Sequence, residues 1–418
     1  MDQLVIEGGR ALNGTVKIGG AKNSVLPLMA ATLLTPGEHC FTNVPHLRDV
    51  TTMQKLLQHL GIISTLENHQ LQITTDALQS HEAPYELVKT MRASVLVLGP
   101  LVARWGKAIV SLPGGCAIGA RPIDLHLKAL EQMGAALTMH DGYVEATAQK
   151  LKGAHITFDK VTVTGTENIM MAATLADGIT VLENAAREPE VTDLANYLIA
   201  MGTEIRGAGT DRITIYGRSQ LKAAQHTVIP DRIEAGTFLI AGAITGGTVT
   251  VDSCPPEYLA VALEKLKEAG CEITVRQNLI TLKAPKKLKA INFTTAPYPG
   301  LATDLQAQFM ALTTLAEGTS IITETIFDNR FQHALELKRL GADITLEGHT
   351  AIIKGVGHLS GAPMMATDLR ASASLVLAGL AADGRTEIDR AYHIDRGYEK
   401  IEEKLKPLGA KISRQKGS

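Results

Sequence analysis

The sequence predicts an α/β protein built from six copies of one β/α unit, and three observations lead to that class. A helical pattern stops at a glycine six times, at Gly61, Gly134, Gly202, Gly270, Gly341 and Gly409, at intervals of 68 to 73 residues. A second marker, a small-residue-rich stretch closing on Gly37, Gly106, Gly178, Gly247, Gly318 and Gly384, recurs every 66 to 72 residues in the same phase. An aliphatic residue stands three places after the first marker in five units, as Leu137, Ile205, Ile273, Ile344 and Ile412. Self-similarity at a fixed period marks a repeat architecture, and a period near 70 is too long for an ankyrin or tetratricopeptide unit.

Within a unit the elements follow one order. A helix rich in Ala and Leu, such as MAATLLTPG or LVLAGLAADG, stops at a glycine able to take a left-handed C-cap. Alternating β-rich residues come next, as in 179–184 and 248–253. An amphipathic helix follows, with Met53, Leu56, Leu57 and Leu60 on one face, or Ile401, Leu405 and Leu408 in the last copy. Glycine ends that helix, and a second β-rich stretch completes the unit. Small residues let the first helix pack closely, so an all-helical interior with sheets outside is expected. Three units in each of two domains account for 418 residues.

Composition narrows the function. Forty-one Lys and Arg against 43 Asp and Glu leave a formal charge of -2, so no global field attracts nucleic acid or an anionic membrane. One Trp, eight Tyr and seven Phe argue against base-stacking platforms. Cys40, Cys116, Cys254 and Cys271 form neither a disulfide framework nor a zinc spacing, so no metal is expected. The start has no signal-peptide pattern, and the longest apolar run, near 93–103, is too short to span a bilayer. A reducing cytoplasm is the expected compartment.

Chemistry concentrates in a few segments. In SLPGGCAIGAR, 111–121, glycines flank Cys116, while Arg121 and an expected helix start at Pro122 supply positive potential that favours a reactive thiolate. Ala120-Arg121 stands where a nucleotide P-loop needs Lys-Ser/Thr, so that reading is rejected. Six cations between Glu86 and Lys128 (Lys89, Arg92, Arg104, Lys107, Arg121, Lys128) face two acids. Lys22, Arg330, Arg370 and Arg396 add cations near the starts of repeat elements, where arginine suits phosphate or carboxylate. Asp231, Asp304 and Asp368 stand at potential helix N-caps, and capping is the preferred reading for any one of them. His393 has no nucleophile at motif spacing and receives no catalytic role.

These segments, together with GAKNSVLP at 20–27, 88–104, NAAREPE at 184–190, PDRIEAGTF at 230–238, ATDLQAQF at 302–309, FDNRF at 327–331 and ATDLRASASLVLAG at 366–379, closely resemble the enolpyruvyl transferases. The Cys loop and the Lys22-Asn23 pair point to the branch acting on UDP-N-acetylglucosamine. Asp328 departs from the Glu expected before Asn-Arg. The resemblance spans the chain and implies a two-domain inside-out α/β barrel of six βαβαββ repeats, with an active site between the domains. Residues 1–21 would join 230–418, and 22–229 would be the inserted domain.

The implied reaction moves the enolpyruvyl group of phosphoenolpyruvate to the sugar 3-hydroxyl and releases phosphate, the first committed step of peptidoglycan synthesis. It needs no cofactor, and no nucleic acid, membrane or obligate protein partner is expected. By resemblance Cys116 is the general acid, Asp304 the base at the hydroxyl, and Lys22, Arg121 and Arg396 the phosphate contacts. Arg92, Arg330 and Arg370 would line the cleft and Asn23 would touch the sugar. Arg121, Pro122, Ile123, Asp124 and Leu125, then Lys160, Val161, Thr162 and Val163, with Ile326, would meet uridine and diphosphate. Asp368 is placed with the substrate-binding residues. The shikimate branch is the alternative, with shikimate 3-phosphate as acceptor. An RNA 3′-phosphate cyclase would need a nucleotidylated histidine, and a silent UDP-sugar-binding scaffold would release no phosphate.

Overall fold

The computed structural model describes residues 2–112 and 123–416, which divide into two compact units. One combines 2–19 with 230–416; the other is continuous in sequence apart from the undescribed stretch, over 20–112 and 123–229. Cys116, Arg121 and Pro122 lie outside the described residues.

Among the described residues each unit carries three open four-stranded sheets, and every sheet has one parallel pair at an edge followed by two antiparallel pairs. The repeat over 293–354 shows the order plainly. Strand Phe293–Thr294 leads to helix Gln306–Thr313, strand Thr319–Thr323, helix Gln332–Arg339, and the hairpin Asp343–Glu347 and Thr350–Lys354. Three copies borrow a strand from elsewhere in the chain. Asn13–Lys17 serves the 232–283 copy, Asp2–Glu7 completes the 363–416 copy, and Gln225–Thr227 opens the 22–75 copy.

The two helices of a repeat differ because their residues do. Arg232–Ile244 is buried along its whole length and packs on Gln306–Thr313 and Leu369–Ala381, giving one unit a helical centre. Lys22–Ala31, Leu98–Trp105 and Val163–Ala173 are its counterparts in the other unit, and the last two pack together. Small residues permit that approach: a Cβ on Gly99 would lie 2.4 Å from Asn168 Oδ1. The second helices, such as Arg48–His59, bury one stripe (Val50, Met53, Leu56, Leu57) and leave the other face to solvent.

All six glycines of the first marker take positive φ, between 92° and 111°, just past the amphipathic helix. The second marker holds at five positions. At the fourth the left-handed residue is Gly246. Gly247 is fixed by crowding instead, since a Cβ there would sit 1.9 Å from the Leu12 carbonyl oxygen. Among the described residues no helix is long and apolar enough to cross a membrane.

Candidate active site

Asp304 does not cap a helix. The 3-10 turn Thr303–Leu305 runs into helix Gln306–Thr313 without a side-chain cap. The carboxylate is gripped instead by two arginines: Oδ1 accepts from Arg330 Nη2 at 2.8 Å and Oδ2 from Arg370 Nε at 3.1 Å. The preferred capping reading fails at this one aspartate because two guanidiniums compete for it more strongly than backbone amides do. Arg370 is 1% exposed and Arg330 7%, whereas the Asp304 side chain keeps 23%. Burial opposes the charge on Arg370, but nearby Tyr398, Asp304 and Asp231 outweigh it and its pKa is raised.

A second acid builds the floor of this group. Glu324 is buried, and Thr295 Oγ1 and the amides of Ile326 and Phe327 donate to its Oε1 at 2.8 to 3.2 Å. Thr303 Oγ1 donates to Oε2 at 2.8 Å while accepting from Arg330 Nη1 at 2.8 Å. The Ile326 backbone and the Asp304 turn are thereby tied to one buried carboxylate.

Asp231 and Asp368 do cap. Asp368 accepts from the amides of Arg370 and Ala371, starting helix Leu369–Ala381, and Asp231 accepts from Ile233 and Glu234. His333, 1% exposed, faces Asp368 and Arg330; burial lowers its pKa to about 4, so the ring is neutral at pH 7. Arg396 closes the 3-10 helix Ala391–Arg396 in the same unit.

The other unit presents its own set. Lys22 opens helix Lys22–Ala31, where no side chain caps, and pairs with Asp49 Oδ2 at 3.4 Å. A cation at a helix N-terminus opposes the macrodipole, and buried Asp49 offsets this. Asn23 follows, and Ser24 beyond it donates to Asp193 Oδ2. Asp193 Oδ1 also meets His226 Nε2 at 2.7 Å, so the start of this helix is held to the returning 225–227 strand. Arg92 heads the 3-10 helix Arg92–Val97.

Thr162 caps helix Val163–Ala173 by accepting from the Gly165 amide at 3.2 Å, with Lys160 and Val161 exposed just before it. Ile123 is buried, and Asp124 and Leu125 begin helix Asp124–Gln132. His126 behind them meets Asn168 Nδ2 at 3.0 Å, and burial lowers its pKa to about 4.

The structure thus joins Asp304, Arg330 and Arg370 in direct contact and places Ile326 and Asp368 on the elements that support them. Lys22, Asn23, Arg92, Thr162 and Lys160 belong to the other unit. Sequence reading missed Glu324, Thr303, Tyr398 and Asp49. Thr303 stood beside a chosen Asp, and Tyr398 two places after Arg396; nothing in the spacing marked Glu324 or Asp49 as partners.

Residues 6–405 match the family model described as EPSP synthase (3-phosphoshikimate 1-carboxyvinyltransferase). A Magnetococcus marinus protein named UDP-N-acetylglucosamine 1-carboxyvinyltransferase is 60% identical over 416 residues, covering 99% of both chains. A Myxococcus xanthus protein of the same name is 57% identical over 419 residues, covering 100% of both. The enolpyruvyl transferase NikO from Streptomyces tendae superposes with a TM-score of 0.89 at 27% identity, covering 100% of this chain and 99% of its own. EPSP synthase from Acinetobacter baumannii, at 21% identity and a TM-score of 0.76 over 100% of both chains, shares the fold. With a family model spanning nearly the whole chain and full-length relatives near 60% identity, the chain belongs to the enolpyruvyl transferase family.

Proposed function

We propose that the protein transfers the enolpyruvyl group of phosphoenolpyruvate to the 3-hydroxyl of UDP-N-acetylglucosamine, releasing phosphate, in peptidoglycan synthesis. The observation that carries the reading is the Asp304 carboxylate fixed between Arg330 and Arg370, in a chain whose near-identical-length relatives bear that activity's name. Each unit is read as one inside-out α/β barrel of three βαβαββ repeats, with 22–229 the inserted domain and the cytoplasm the compartment.

The chemistry assigns tasks to the residues. In the addition step the sugar oxygen bonds to C2 of phosphoenolpyruvate, C3 gains a proton and the hydroxyl loses one. Asp304 takes the hydroxyl proton; the two arginines hold its carboxylate in one orientation, so the geometry is set before the substrate arrives. Cys116 delivers the proton to C3. In the elimination step C3 gives a proton back and the C2–O bond to phosphate breaks. Lys22, Arg121 and Arg396 stabilise the phosphate as it leaves, with Arg92, Arg330 and Arg370 offsetting the remaining charge. Asn23, Pro122 to Leu125, Lys160 to Val163, Ile326 and Asp368 position the sugar nucleotide.

Phosphate release with phosphoenolpyruvate and UDP-N-acetylglucosamine, set beside shikimate 3-phosphate as acceptor, tests the assignment. Release with the shikimate acceptor alone would refute it. The thiol role has its own test. Burial pushes the Cys254 and Cys271 thiols up to about 12, so both are poor nucleophiles at neutral pH. Fosfomycin should form one adduct by mass spectrometry, at Cys116 and not at Cys40, Cys254 or Cys271. Cys116→Asp should keep turnover and resist the epoxide, and Cys116→Ser should be nearly inactive.

A further inference from the structure

Tyr398 is 1% exposed and takes no part in the steps above, yet it touches both supports of Asp304. Thr237 Oγ1 donates to the Ile233 carbonyl at 2.8 Å, which uses its one proton. The Tyr398 hydroxyl, 2.8 Å away, must then be the donor to Thr237. The Tyr398 oxygen in turn faces Gln308 Nε2 at 3.2 Å, and that amide also donates to the Asp304 carbonyl at 3.0 Å. Gln308 Nε2 thus donates both to the backbone of Asp304 and into a relay through Tyr398 and Thr237 that ends at the Ile233 carbonyl in helix Arg232–Ile244.

The ring acts on the other side. Its centroid lies 5.3 Å from the Arg370 guanidinium carbon, within cation–π range. Arg370 Nη1 and Nη2 are buried and find no hydrogen-bond acceptor among the described residues. Tyr398 lies against this guanidinium and is among the groups that raise the Arg370 pKa. Gly397 lets the turn come this close, since a Cβ there would sit 2.4 Å from Leu369 Cδ1 and 3.3 Å from Arg370 Nη1. Arg396 is the next residue along the same turn.

We propose that Tyr398 is the positioning residue of this site: its ring steadies Arg370, which holds the Asp304 carboxylate, while its hydroxyl steadies Gln308, which holds the Asp304 backbone. One side chain thereby sets both the place and the direction of the carboxylate, and ties them to the turn that bears Arg396. The inference rests on the reading of Asp304 as the base.

Steady-state kinetics of Tyr398→Phe should show kcat lowered about tenfold with KM for both substrates within about twofold, because the buried hydroxyl's hydrogen bonds with Thr237 and Gln308 are lost and substrate contacts remain. Thr237 keeps its bond from Gln308 at 3.1 Å, so the fold should tolerate the change. In a Gln308→Met background the same substitution should lower kcat by less than about twofold, since the linkage is already cut. Tyr197→Phe, which removes an equally buried hydroxyl bonded to His39 in the other unit, should leave kcat unchanged. Full kcat in Tyr398→Phe, additive losses with Gln308→Met, or an equal loss in Tyr197→Phe would each overturn the proposal.

A readout without turnover separates this idea from the reading it rests on. Denaturant unfolding of Tyr398→Phe, Asp304→Asn and the double variant should give non-additive changes if the two residues are linked, whatever the substrate. Additive changes would overturn the linkage even in a protein that releases phosphate as proposed.

Discussion

The two units use one architecture and opposite chemistry at the starts of their central helices. In the unit formed by 2–19 and 230–416, aspartates stand there: Asp231 and Asp368 cap the first and third helices, and Asp304 precedes the second. At the matching places in the other unit stand Lys22, the Arg92–Val97 3-10 helix, and Thr162 as the only capping side chain of the three. Anions are favoured at helix N-termini and cations disfavoured. The fold tolerates both arrangements, so it does not dictate the choice. Where Lys22 and Arg370 sit in first turns against the dipole, Asp49 and Asp304 compensate them. Breaking a local rule and repairing it with a dedicated partner is what a functional site looks like in sequence terms.

Substitutions can sharpen this contrast. The largest effect should come from Asp304→Ala, which leaves two buried guanidiniums facing each other. It should destabilise by about 3 kcal/mol in denaturant unfolding and reduce kcat by at least about a hundredfold. Asp49→Ala, the matching deletion in the other unit, takes one partner from a lysine that keeps 12% exposure and can reach water. A smaller loss, of about 1–2 kcal/mol, is expected there. Equal losses would erase the distinction between the two sites.

Acid should discriminate next. His39 and His126 in one unit and His333 in the other have pKa values lowered to about 4, burial being the first cause in each. A depressed value means the unfolded chain binds the proton first. The stabilisation is complete above about pH 6.5 and is lost as pH falls toward 4, by up to roughly 3 kcal/mol per histidine. Urea unfolding at pH 7 and pH 5 should show a smaller drop for His126→Gln than for the wild type, and an unchanged drop would assign the acid loss elsewhere.

Arg396→Ala should raise KM for phosphoenolpyruvate far more than for the sugar nucleotide, by roughly 1.5–3 kcal/mol of lost binding. Equal weakening of both substrates would make it a structural residue. The smallest effect belongs to the caps. Asp368→Ala and Thr162→Ala should each lower stability by about 1 kcal/mol. A difference between them would show that the charge of Asp368, and not only its hydrogen bonds, counts.

Local pattern made the repeats legible, because glycine at positive φ and an aliphatic stripe are properties of a few neighbouring residues. Gly247 was misread because two adjacent glycines share the work there, one by conformation and one by close packing. The charged residues at helix starts were legible for the same local reason. Their partners were not. Asp304 meets Arg370 across 66 positions and Arg330 across 26, and Lys22 meets Asp49 only because two helices pack. Glu324 lies in no motif, and its importance comes from four donors that converge on it in space. Asp304 shows how a sound local expectation yields to tertiary charge.

The borrowed strands have a consequence in time. Strand Asp2–Glu7 lies between Lys411–Lys416 and Arg385–Asp389, with Glu7 opposite Arg385. During synthesis it emerges roughly 380 residues before that partner, a wait of roughly 20–80 s at ordinary translation rates. The other unit needs only strand Gln225–Thr227 to complete its 22–75 copy, so all of its pieces have left the ribosome far sooner. One unit can therefore mature while the other still offers the unpaired edge of its earliest strand to any neighbour. The nascent chain at that stage is where holdase chaperones and misassembly have their longest opportunity.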